Sequence, residues 1–211
     1  MARLQEIMYG VNSETSRFLS KIGRSINIPP IPFTEKQIAA ARYYKQYAGG
    51  NIEYIPPGLS LEDLAKLGKV DYSLFAIRNM LFAPATRGGW VLSLYGLVPE
   101  TIGLERKLCY AHQNELLEKF DFANGFVDFG QTLEHIYLKL LVLNRTNQYY
   151  LGSNFIWTNE FAMRADVSVH LVLAQNKNQG LYAQIFPFTR GVGIGASPLI
   201  YPVHPVLRPR E

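Results

Sequence analysis

The chain has one cysteine, few charges and no long apolar run, and each shortage removes a class of reading. Cys109 has no second thiol to join, so no disulfide framework within the chain and no multi-cysteine zinc site is available. No window reaches the ~18 uninterrupted apolar residues that a membrane-spanning helix needs. The first residues, "MARLQEIMYGVNSETSRF", lack a continuous apolar core, so they do not read as a secretory signal. Charged residues are 18% of the chain, and no basic run exceeds two residues, Arg106-Lys107. The net charge of +4 is spread thinly and makes no stripe of the kind nucleic-acid binders carry. These absences lead to the expectation of a cytoplasmic protein, or one incorporated into a particle assembled there.

What is present is apolar and aromatic: 48% hydrophobic residues, with 13 Tyr and 12 Phe among 211. That balance supports a folded core and contact-making surfaces. Leu4, Ile7, Met8, Val11, Phe18 and Ile22 recur at helical spacing and predict an N-terminal amphipathic helix, or two shorter ones broken at Gly10. "INIPPIPF" (26–33) and "NIEYIPPG" (51–58) must be extended, because proline fixes φ and removes a donor. Thr34 with Gln37, and Ser60 with Asp63, are capping patterns that open helices. Asp71 opens a further helix, and "WVLSLYGLV" (90–98) reads as a buried strand. Pro99-Glu100 predicts the start of the longest helix, running to about Phe120.

Beyond Asp121 strands are expected at Phe126–Phe129, "QYYLGSNFIW" and a hairpin over 165–188, while the Leu-rich run 132–144 suits either a helix or a buried strand, with strand preferred. In that hairpin Val167, Val169, Leu171 and Leu173 alternate with Asp166, Ser168 and His170, the pattern of a half-buried strand with His170 outward. The expected fold is therefore α+β: a helical N-terminal half with proline-rich connectors, an antiparallel sheet in the C-terminal half, and an extended C-terminal arm. The expected divisions are an N-terminal helix and arm at 1–33, one domain at 34–188, and a glycine- and proline-rich arm at 189–211.

Several stretches invite a chemical reading. Gly191-Val-Gly-Ile-Gly195-Ala-Ser197 resembles a phosphate loop, but no helix can follow it past Pro198, Pro202 and Pro205, and the G-x-G-x-x-G spacing is missing. Close backbone approach explains those glycines better. Glu105, Cys109 and His112 would share one face of the predicted helix and offer a thiol beside an imidazole. Against this, Cys109 would sit mid-helix, away from the N-terminal dipole that activates catalytic thiols. In a strand Glu134 and His135 would face opposite sides and could not act together, and Glu160 with Asp166 reads as solvated surface. His204 lies between prolines with no chemical neighbour. "RYYKQYA" (42–48) interleaves Tyr43, Tyr44 and Tyr47 with Arg42 and Lys45 and would suit either packing or base stacking.

None of this commits the chain to catalysis, and no cofactor or metal site is expected. The arm carries Leu199, Ile200, Tyr201, Val203, Val206 and Leu207 on a segment that cannot form a core alone. Burying such side chains contributes about 1.5–3 kcal/mol each, against about 1 kcal/mol per residue for ordering the backbone, so the arm is fixed only where it docks well. The expectation is a structural subunit of a larger assembly (virion, phage tail or secretion type) that binds other protein subunits through these six residues. Nucleic acid is not an expected partner. The alternatives are an enzyme built on Cys109, His112 and Glu105, or a weakly basic nucleic-acid-binding module.

Overall fold

The Leu-rich run is where fold and expectation part. In the computed structural model, which describes residues 2–39, 50–71, 73–75, 83–119, 126–151, 154–164, 167–178, 180–186 and 193–202, Thr132–Thr146 is an α-helix. It is buried on all sides from Thr132 to Val142, so its sequence shows no polar stripe to reveal a helical period. Its ends carry the signal instead. Glu134 accepts a hydrogen bond from the Gln131 amide at 3.0 Å, and Asn147 closes the helix in the left-handed region at φ 53°.

Around this helix the chain forms two four-stranded sheets. The strands are β1 (Gly50–Ile55), β2 (Gly89–Leu94), β3 (Phe126–Asp128), β4 (Phe155–Arg164), β5 (Val167–Asn176), β6 (Gly180–Phe186), β7 (Ile194–Gly195) and β8 (Leu199–Tyr201). The first sheet has the order β1-β2-β8-β3, antiparallel throughout. The second has the order β6-β5-β4-β7, with only β7 running parallel to its neighbour. Among the described residues the longer helices are α1 (Ala2–Ser20), continuous through Gly10, α2 (Leu61–Leu67), α3 (Arg106–Lys119) and the buried α4 (Thr132–Thr146).

Alternation along the strands sorts residues into layers. Val91, Leu199 and Tyr201 join Ile156, Leu171, Leu173 and the α4 leucines in one core between the sheets. Trp90, Leu92, Leu94 and Ile200 point the other way, against Val11 of α1 and the extended residues Ile28 and Phe33. The Trp90 indole N–H donates to the Pro29 carbonyl at 3.0 Å, which pins the proline segment to the sheet. The outer face of the second sheet, with Trp157 and Val172, packs on Cys109 of α3 and on Phe129.

The α+β class, the capping boxes at Thr34/Gln37 and Ser60/Asp63, the strand at Phe126 and the 167–186 hairpin all stand as expected. Three readings are corrected. The helix expected from Pro99 is only a 3₁₀ turn at Pro99–Thr101; Gly103 then turns at φ +79°, and α3 begins at Arg106. β5 is a central strand buried on both faces, so His170 is 6% exposed and lies edge-on to Trp157 at 5.8 Å. The stretch read as the start of an arm is extended but knits the molecule together: β7 pairs with one sheet, and β8 lies between β2 and β3 in the other. Leu199, Ile200 and Tyr201 are 0%, 0% and 3% exposed within this single chain, so they are core residues and not a surface offered to a partner.

Candidate functional site

The densest polar cluster lies where β3 runs into α4. Gly130 makes that connection at φ +80°, and a Cβ there would fall 2.6 Å from the Leu199 side chain. The tight link delivers Asp128 at the end of β3, and Glu134 in the first turn of α4, to the same guanidinium. Arg87 Nη2 donates to Asp128 Oδ2 at 3.1 Å and to Glu134 Oε2 at 2.9 Å, while its Nε donates to Glu134 Oε1 at 3.2 Å. The Tyr201 hydroxyl of β8 donates to Glu134 Oε2 at 3.0 Å, and Asn159 of β4 donates to Asp128 Oδ2 at 2.8 Å.

Glu134 is fully buried and Arg87 is 32% exposed, so the cluster meets solvent at one edge through the arginine. Burial works against the charge on Arg87, but Glu134 first, then Tyr201 and Asp128, hold it protonated. Burial, reinforced by Glu134, keeps the Tyr201 phenol well above its ordinary value. Glu160 stands beside this group. Its oxygens accept the Ala83 amide at 2.9 Å, the Thr132 amide at 2.7 Å and the Thr132 hydroxyl, and burial raises its pKa. The expectation of a solvated Glu160 is corrected accordingly.

Two further basic side chains of α4 are held by partners, Lys139 buried and Arg145 partly buried. Lys139 is 2% exposed and donates to the Leu94 carbonyl at 3.0 Å, the Tyr95 carbonyl at 2.6 Å and Ser197 Oγ at 3.3 Å; burial brings its pKa down to about 7. Arg145 joins Glu14 of α1 at 2.6 Å, Glu53 of β1 at 2.8 Å and the Tyr95 hydroxyl at 2.8 Å. His135, 1% exposed, bonds the Phe129 carbonyl through Nε2, so the proton lies on that nitrogen; burial, then Lys139, lowers its pKa to about 3. Glu134 and His135 do not take opposite faces of a strand, because the segment is a buried helix.

Carboxylates, an imidazole and a lysine are the raw material of acid–base chemistry, but here they are committed to the fold. Both oxygens of Glu134 accept bonds from Arg87, and Oε2 also takes the Tyr201 hydroxyl and the Gln131 amide. Each cluster ties α4 to different strands: Glu134 to β3, β8 and β4 through its shared partners, Lys139 to the ends of β2 and β8, and Arg145 to β1 and α1. The arrangement fixes both sheets on one helix, as buried charges do when fully paired.

The Glu105, Cys109 and His112 constellation does not come together. Glu105 precedes α3 and pairs with Lys107 at 3.1 Å, and His112 pairs with Glu115 at 3.4 Å. Cys109 turns inward, 0% exposed, with its Sγ 3.7 Å from the Thr101 carbonyl. Burial pushes its pKa up to about 11. Native protein should therefore react with iodoacetamide far more slowly than the unfolded chain; a thiol alkylated quickly in the native state would restore the enzyme alternative.

Among the described residues, no three His, Cys, Asp or Glu side chains are grouped to hold a metal ion, and no helix is long and apolar enough to cross a membrane. Ser197 of the glycine-rich stretch serves Lys139, and a Cβ on Gly195 would come 3.1 Å from Thr101 Oγ1, so close packing accounts for that glycine. Val203, Val206, Leu207, Asp166, His204 and the tyrosines of 42–48 lie outside the described residues. Arg87, Asp128, Lys139 and Arg145 escaped sequence reasoning. For Asp128 and Lys139 the signal is a charge inside an apolar run, which demands a buried partner without saying where it is; Arg87 and Arg145 stand among small and polar residues and carry no such signal. Comparison with known proteins yields no matching family model, no matching curated protein and no matching solved structure.

Proposed function

We propose that this chain is a structural subunit that works by binding other protein subunits. The observation that carries the reading is the surface around the start of α3. Ile102 and Leu108, on either side of the turn into that helix, are 43% and 45% exposed, while the polar groups suited to chemistry are turned inward and mutually paired. Large aliphatic side chains held out on a rigid frame suit contact with another protein. Tyr9 and Tyr150, 77% and 37% exposed, add aromatic contact points. Val203, Val206 and Leu207 remain part of the proposal on their sequence alone.

Replacing Ile102 and Leu108 together by serine tests it. The expected result is weaker association with an unchanged melting temperature, since neither side chain belongs to the core. Removing residues 203–211 should act in the same direction. Wild-type protein that runs at its chain mass of 23.9 kDa, with both variants indistinguishable from it, overturns the reading.

A further inference from the structure

Helix α3 turns a particular row of residues outward. Lys107, Ala111 and Glu115 are spaced four apart and form one ridge, flanked by Leu108 and His112. Lys107 and Glu115 are 78% and 72% exposed, Leu108 is 45% exposed and Ala111 is exposed, while Cys109 marks the opposite, core-facing side. Among the described residues both charges pair with close neighbours in sequence, Lys107 with Glu105 at 3.1 Å and Glu115 with His112 at 3.4 Å. Pairs this exposed hold their partners weakly and exchange them readily.

We propose that this ridge joins two copies of the chain, α3 packing antiparallel on α3 about a twofold axis beside Ala111. The inference rests on the subunit reading above and names the partner. Its argument is self-complementarity. A twofold at position 111 carries residue 107 onto 115, so Lys107 of each copy meets Glu115 of the other, twice over. A parallel pairing would set lysine on lysine and glutamate on glutamate. Alanine at the centre leaves the two helix backbones room to approach, and Leu108 supplies apolar contact beside the axis, with Ile102 at the margin. An isologous contact needs one patch to complement itself, and this row does so in charge.

The experiment is a charge exchange followed by sedimentation equilibrium on the full chain. K107E and E115K should each weaken self-association by about ten-fold or more, because each sets two like-charged pairs across the axis. The double variant K107E/E115K should return to within a few-fold of wild type, with all four proteins melting alike. Equal association of all four, or a double variant no better than the singles, overturns the α3 pairing. If the mass stays above 23.9 kDa throughout, the subunit reading stands and α3 is the wrong surface; if every protein is a monomer, no second copy docks here.

Discussion

Glu134→Ala should destabilise the protein by about 3 kcal/mol or more, the lower end for breaking a buried ion pair, because Arg87 is 32% exposed and regains some hydration. The change removes four accepted hydrogen bonds at once, leaves Arg87 and the Tyr201 hydroxyl without their main acceptor, and strips the cap from α4. Glu134→Gln keeps the shape and an acceptor oxygen, so its loss should be smaller, about 1–2 kcal/mol. Arg87→Met made on top of Glu134→Ala should cost much less than Arg87→Met alone, since the two residues act as a unit. Urea denaturation of the four proteins measures this. The outcome also separates structure from chemistry. Residues arranged for a reaction often hold stability down, so a Glu134→Ala protein more stable than wild type would mark this junction as a reaction centre.

Stability should rise between pH 7 and pH 9, by at most about 1.4 kcal/mol per pH unit, and Lys139 is the cause. Its pKa is about 7 in the folded chain, against an ordinary 10.5. Between those values the unfolded chain keeps the proton that the folded chain has released, so lowering the pH through this window favours unfolding. Above it the trend reverses, because burial holds the Cys109 thiol up at about 11 and the Tyr95 phenol at about 12. In acid, His135 at about 3 again favours unfolding as pH falls, while Glu53 and Glu160, both raised by burial, oppose it. The alkaline window is the clean one. Lys139→Met should flatten the slope from pH 7 to 9; a wild-type protein already flat there would mean that Lys139 is not desolvated as its burial implies.

Local signals in the sequence were reliable where the chain meets solvent or turns. Ser60 with Asp63 and Thr34 with Gln37 act through neighbours in sequence, and both form the expected caps. Alternation placed the 167–186 hairpin correctly but missed its second buried face, because α3 and Phe129 come from elsewhere in the chain to cover it. Residues 132–144 defeated periodicity for a related reason: a helix enclosed by two sheets has no polar side to betray its pitch. Leu199–Tyr201 looked unable to form a core because the strands on either side of it, β2 and β3, lie far back in the sequence. The Arg87 junction was invisible for the same cause, its partners standing 41, 47 and 114 positions away. Charge type was legible in the chain; convergence was not.

The most direct test of the central claim is sedimentation velocity on the unmodified chain across a dilution series. A subunit built to meet its own kind sediments as a species heavier than 23.9 kDa that dissociates as it is diluted. A single boundary at the monomer mass from the lowest to the highest concentration contradicts that account.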